Sequence, residues 1–203
     1  MFDVASPDED MFESAAWTAT SASCSGNERL SALDYHHISS VSVGREDAYI
    51  VSSRNLDTIW ALARNGSGAL WTLSSSLNRS DYAFERELDK FYQPHSVLQL
   101  ASGNLLVIDD GAQRPGCPGS TNTSAHPEDG AGCFSRAVEY KLDFMRAKVS
   151  VVWQFEFPFG LDEASIEKVE LHDVFTAVGG SVYPRSDGHR LGGLRSACDT
   201  RQC

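Results

Sequence analysis

From residue 38 onward, apolar and small polar residues alternate in short runs broken by clusters of turn formers. I-S-S-V-S-V leads through G-R-E-D to A-Y-I-V-S-S, then to T-I-W-A-L-A, and through R-N-G-S-G to A-L-W-T-L. Alternation with period two, separated by turn chemistry, predicts four consecutive strands in an antiparallel meander. A polar stretch, D-Y-A-F-E-R-E-L-D-K, reads as helix or loop. A second set then follows: S-V-L-Q-L-A, L-L-V-I-D-D, R-A-V-E-Y-K-L-D and V-S-V-V-W-Q-F-E-F, with a Cys-bracketed insertion between its second and third members. A third set, G-G-S-V-Y, P-R-S-D-G and H-R-L-G-G-L, stops after two strands.

The sets resemble one another. H-I-S-S-V opens the first and H-S-V-L-Q-L the second, and each carries a tryptophan, Trp71 or Trp153, in an apolar strand after a turn. Repeated four-stranded units are the signature of β-propeller blades, whereas a sandwich leaves the internal similarity unexplained. The expected fold is all-β, a β-propeller present as an incomplete fragment of about two and a half blades. Residues 34–194 form the blades, residues 1–33 a poorly ordered leader and residues 195–203 an irregular tail.

Composition narrows the classes of function. A formal charge of -11 over 203 residues disfavours nucleic acid and anionic membrane surfaces as partners. No apolar run approaches the ~20 residues of a membrane helix, and the acidic start M-F-D-V-A-S-P-D-E-D shows no signal peptide. The five cysteines form no C-x-x-C pair. Cys117 and Cys133 bracket a Gly/Pro-rich polar loop, where a disulfide would be worth roughly 3 kcal/mol; two free thiols are the other reading. Asn65, Asn78 and Asn122 head N-x-S/T sequons. These features point to secretion or a secretory-pathway lumen, against the missing signal. Oligomeric state stays open.

In a propeller the first strand of each blade lines the central channel. His37 heads that strand in the first unit and His95 in the second, while Arg114 follows the second strand of the second unit. Two imidazoles and a guanidinium suit an oxyanion: arginine offers a planar fork of donors, and histidine exchanges protons near neutral pH. His36, adjacent to His37 on an alternating strand, is expected to turn away and pack or meet solvent. Asp109 and Asp110 read as a turn pair, with no residue spaced to complete a metal site. Neither a metal nor a cofactor is expected.

The motifs D-Y-H-H-I-S-S-V-S-V, Y-I-V-S-S-R-N-L-D-T-I, Y-Q-P-H-S-V, V-I-D-D-G-A-Q-R and S-R-A-V-E-Y-K-L-D with V-V-W-Q-F-E resemble, in this order, the aryl-sulfate sulfotransferase family. The resemblance implies a six-bladed propeller that moves a sulfuryl group from a phenolic sulfate donor to a phenolic acceptor without phosphoadenosine phosphosulfate. It implies covalent, ping-pong catalysis through a histidine, and places catalytic roles on His37, His95 and Arg114. Arg54 and Arg136 also fall on family positions; Arg54 is a candidate for substrate binding, and structural pairing is the favoured reading of both. The family's sulfurylated histidine closes a G-G-S-apolar-His motif. Here G-G-S-V-Y puts Tyr183 at that position, a candidate substrate contact. The alternative function is a non-catalytic anion-binding or scaffold propeller that has lost the nucleophile.

Overall fold

The structure, a computed structural model, describes residues 35–76, 78, 80–111, 113–115, 134–156 and 179–194. The proposed leader and tail, Cys117, Cys133 and the Asn122 sequon lie outside the described residues. Asn65 and Asn78 are both exposed.

The first sheet is the expected meander. β1 (Ile38–Val43), β2 (Ala48–Ser53), β3 (Thr58–Ala63) and β4 (Ala69–Ser74) pair antiparallel in chain order. Between β1 and β2, Glu46 and Asp47 both take positive φ, the conformation that tight two-residue hairpin turns require. The second sheet contains β5 (Ala83–Phe84), β6 (Pro94–Gln99), β7 (Leu105–Asp109), β8 (Arg136–Asp143) and β9 (Lys148–Glu156). Its order is β5-β9-β8-β7-β6, and β5 runs parallel to β9, so the sheet is mixed. The polar stretch before β6 thus becomes a two-residue edge strand and a single 3-10 turn, Glu87–Asp89. A hairpin of β10 (Gly180–Pro184) and β11 (Arg190–Leu194) completes the described residues.

Two apolar interiors hold these layers in series. Ile50, Ile59 and Leu73 of the first sheet meet Val97, Leu105, Val107, Val138, Tyr140 and Val149 of the second. Leu106, Ile108 and Ala137, from the opposite face of the second sheet, pack on Val182 of β10. Because side chains alternate along β7, Leu105 and Val107 serve one interior while Leu106 and Ile108 serve the other. A strand buried on both faces reads as a continuous apolar run, as L-L-V-I does. Trp71 packs against the first interior and Trp153 against the second. Among the described residues the layers do not close into a ring.

Hydroxyls join the first sheet to β6. Ser39 and Ser42 Oγ donate to the carbonyls of Pro94 (2.7 Å) and Val97 (2.8 Å), and Val97 N donates to Ser40 Oγ (3.1 Å). Ser52 Oγ donates to the His95 carbonyl at 3.2 Å. The serines of I-S-S-V-S-V therefore satisfy backbone groups on a neighbouring sheet.

Candidate functional site

Five strand ends converge at one end of the layers. Ile38 pairs with Ser53 and Pro94 with Asp109, so the start of β1, the end of β2, the start of β6 and the end of β7 share that end. The start of β10 joins them, since His95 Nδ1 lies 3.1 Å from the Gly180 carbonyl. This convergence brings together His37, Arg54, His95, Asp110 and Gly179.

His37 precedes β1 with a positive φ of 44°, in place of the extended position the strand pattern suggested. The kink is held from β2: Arg54 N donates to the His37 carbonyl (3.0 Å) and Ser53 Oγ to the His36 carbonyl (2.5 Å). It leaves His37 exposed, while His36 lies edge-on to Tyr35 and Trp60. His36 is thus a packing residue, as its neighbour's role required.

His95 is half-buried. A carbonyl only accepts, so its Nδ1–H donates to Gly180 O, and in the neutral ring Nε2 then carries the lone pair. Nε2 faces Gly179 so closely that a Cβ there would meet it at 2.8 Å; the positive φ of Gly179 and this approach both require glycine. Desolvation lowers the His95 pKa from its ordinary value, with a partial offset from the Gly180 hydrogen bond and further lowering by the charges of Arg54 and His37. His95 is therefore a neutral imidazole at neutral pH, placed as a proton acceptor.

Arg54 follows β2 and is only 4% exposed. Its Nε stands 3.9 Å from Asp110 Oδ2, and an Nη donates to Asn55 Oδ1 at 3.2 Å. Asp57 N donates to the Arg54 carbonyl at 3.3 Å. Burial raises the Asp57 pKa to about 6, against hydrogen bonds from Ser76 Oγ and Gln93 N that lower it; the charge of Asp109 raises it further and that of Arg54 lowers it.

Asp109 and Asp110 are adjacent and both fully buried, but strand alternation sends them to different surroundings. Asp109 Oδ2 accepts from Arg114 (2.5 Å) and Arg136 (2.8 Å), and its Oδ1 from Tyr92 N (2.9 Å). Arg114 also donates to the Lys90 carbonyl and has its guanidinium carbon 3.9 Å from the Phe134 ring centroid. Gly111 fixes this turn: its φ is 75°, and a Cβ would collide with the Phe134 carbonyl oxygen. Asp110 has no hydrogen bond of ordinary geometry on either carboxylate oxygen. Desolvation raises its pKa to about 8, against the lowering influence of Arg54 and the Gly179 amide; the Asp109 charge adds to the rise.

The structure therefore gathers His37, His95 and Arg54, and holds Arg114 in a neighbouring buried ion cluster. Arg114 and Arg136 both pair with Asp109 there. Tyr183 is half-exposed on β10; since its neighbour Val182 faces the second sheet, alternation turns Tyr183 the other way. Asp110 entered the sequence reading only as a turn residue. Nothing in D-D-G separates it from Asp109, because what distinguishes them is Gly179, remote in sequence.

Residues 3–165 match the family described as Arylsulfotransferase (ASST). The chain belongs to the arylsulfotransferase family. The matched stretch takes in much of the segment read as a leader and both four-stranded units, and ends before the β10–β11 hairpin that carries Tyr183. A comparison with curated proteins gives no match. Within this arylsulfotransferase chain, the described residues contain no helix long and apolar enough to cross a membrane.

Proposed function

We propose that the cluster of His37, Arg54 and His95 binds the sulfuryl group of a phenolic sulfate and passes it to a phenolic acceptor, on a β-propeller of the family type. The observation that carries this reading is the convergence of two imidazoles and a buried arginine on one end of the strands in an arylsulfotransferase chain. The guanidinium and an imidazole N–H stabilise the sulfuryl oxygens as charge shifts towards the leaving phenolate. His95 Nε2 takes the proton of the acceptor hydroxyl as that oxygen attacks sulfur. The bond from sulfur to the donor oxygen breaks, and the proton passes to the departing phenolate. Arg114 supports the site from outside, by fixing the D-D-G turn through Asp109.

The test uses the full chain with nitrophenyl sulfate as donor. Release of nitrophenol is expected only when a phenol acceptor is added, and is expected to vanish in His95→Asn. Release equal in wild type and His95→Asn overturns the assignment. Tyr183 at the family's histidine position favours a second reading, a pocket that binds sulfate esters without turnover. Saturable binding of phenyl sulfate with no nitrophenol release from nitrophenyl sulfate supports that reading instead.

A further inference from the structure

The β10–β11 hairpin lies on one face of the second sheet, where Val182 meets Leu106, Ile108 and Ala137. It is fastened there at both ends of β10. At one end the Gly180 carbonyl accepts from His95 Nδ1–H at 3.1 Å. At the other end Pro184 pairs with Arg190 of β11, whose Nη2 donates to Glu139 Oε2. Glu139 sits in β8 opposite Leu106 of β7 and Trp153 of β9, so it shares this face with the apolar contact. Glu139 is buried, its other oxygen accepts from Asn104 Nδ2 at 2.7 Å, and the Arg190 guanidinium carbon lies 4.5 Å from the Trp153 ring centroid. An arginine paired with a buried carboxylate and stacked on a tryptophan is fixed in direction. The hairpin's own sequence gives it little packing surface: Gly180, Gly192 and Gly193 carry no side chain, and Tyr183 and Leu191 are exposed. Two strands by themselves are marginal in water, so the place of β10 depends on its anchors.

We propose that Arg190, bound to Glu139 and Trp153, is a positioning residue for His95: by fixing the β10–β11 hairpin it holds the Gly180 carbonyl on Nδ1–H and so keeps the lone pair on Nε2. This rests on the reading of His95 as the base of a sulfuryl-transfer site. In that transfer the acceptor's hydroxyl proton moves to Nε2 as its oxygen attacks sulfur, a step closed to the Nε2–H tautomer. When the hairpin leaves the sheet, Nδ1 loses its acceptor and the proton distributes over both ring nitrogens. The same displacement returns the ring to water. Burial is the largest cause of the lowered His95 pKa; the charges of Arg54 and His37 lower it further, and the Gly180 bond raises it. Release of the hairpin removes the burial together with that bond. Burial is the larger of the two, so the ring's pKa moves up towards its ordinary 6.5.

The experiment is nitrogen NMR of the His95 ring in the full chain, followed through a pH titration in wild type, Arg190→Ala, Arg190→Lys and Leu191→Ala. In wild type Nδ1 is expected to carry the proton, with Nε2 at the shift of an unprotonated ring nitrogen. In Arg190→Ala the two shifts are expected to converge and the titration midpoint to rise. Nitrophenol release from nitrophenyl sulfate is expected to fall about tenfold or more in that variant. Arg190→Lys, which keeps a cation beside Glu139, is expected to recover most of the wild-type pattern. Leu191→Ala, an exposed neighbour on the same strand, is expected to leave it unchanged. His95 shifts and midpoint alike in wild type and Arg190→Ala overturn the positioning role, as does an Nε2–H tautomer in wild type. Altered shifts in Arg190→Ala with no release by wild type keep the positioning role and overturn the transfer reading alone. Thermal unfolding of each variant separates these outcomes from loss of fold, because a purely stabilising Arg190 lowers the unfolding midpoint without moving the ring's tautomer. Glu139→Gln, which still accepts from Asn104, tests the same link if Arg190→Ala does not fold, and is expected to move the ring in the same direction.

Discussion

Asp109 and Asp110 are neighbours of one residue type, equally buried, and the fold treats them oppositely. Asp109 is surrounded by donors: two guanidinium groups and a backbone amide bond to its carboxylate, and the arginines are in turn tied to backbone carbonyls and rings. Asp110 faces one arginine at longer range and the amide of a remote glycine, so burial dominates and its proton is retained to about pH 8. The difference separates a satisfied buried charge from an under-satisfied one. A satisfied buried charge is rigid and has little left to give a ligand. An under-satisfied one stores a preference that a ligand or a proton can settle.

The largest expected effect breaks the first half of that contrast. Asp109→Ala strands Arg114 and Arg136 without their counter-charge, and removing one partner of a buried pair costs about 3–5 kcal/mol. Urea unfolding is expected to show a midpoint far below wild type; an unchanged midpoint contradicts the scaffold role. Next is Gly179→Ala. The added methyl collides with His95 Nε2 at a backbone angle that alanine resists, so sulfate-ester affinity is expected to fall about tenfold or more. Titration with phenyl sulfate checks this, and full affinity in the alanine variant would show that the ring position is immaterial.

Stability against pH sharpens the second half. The folded pKa of Asp110 lies above the carboxylate's ordinary 3.8, so the folded chain binds the extra proton between these values. Its contribution to stability is complete below 3.8 and is lost progressively as pH rises towards about 8. Asp57 adds a loss of the same sign that ends near pH 6. Thermal unfolding of wild type is therefore expected to weaken from acid-neutral to mildly alkaline pH, and Asp110→Asn to flatten the part of this slope between about 6 and about 8. An identical slope in both chains contradicts the raised Asp110 pKa. The smallest effect concerns the other adjacent pair. His36→Ala removes an edge-on contact with Trp60 and is expected to cost about 1 kcal/mol. It is expected to leave phenyl sulfate binding within twofold, whereas His37→Ala is expected to weaken it about fivefold or more with little loss of stability.

The strands were legible because alternation and turn residues state them directly: each run of the first unit became a strand at the expected place. His37 and His95 were readable as heads of repeated units, and in the structure His37 stands close enough to His95 to contribute to the lowering of its pKa. Three features were not. β5 pairs two residues, in parallel, with a strand distant in sequence, which leaves no periodic trace. The serines of β1 bond to β6, a strand remote in sequence. The surroundings of Arg54 and Arg114 were hidden for a related reason. Both follow a second strand in equivalent units, and only the donors and acid groups around each decide which is consumed by its own scaffold.

The central claim, that the anion site lies with His37, Arg54 and His95 and not with Arg114, is tested most directly by nitrogen NMR of the histidine rings and arginine side chains during addition of phenyl sulfate to the full chain. The account predicts saturable shifts at His37, His95 and Arg54, with His36 and Arg114 unmoved. Saturable shifts at Arg114 with His95 and Arg54 unmoved would contradict it.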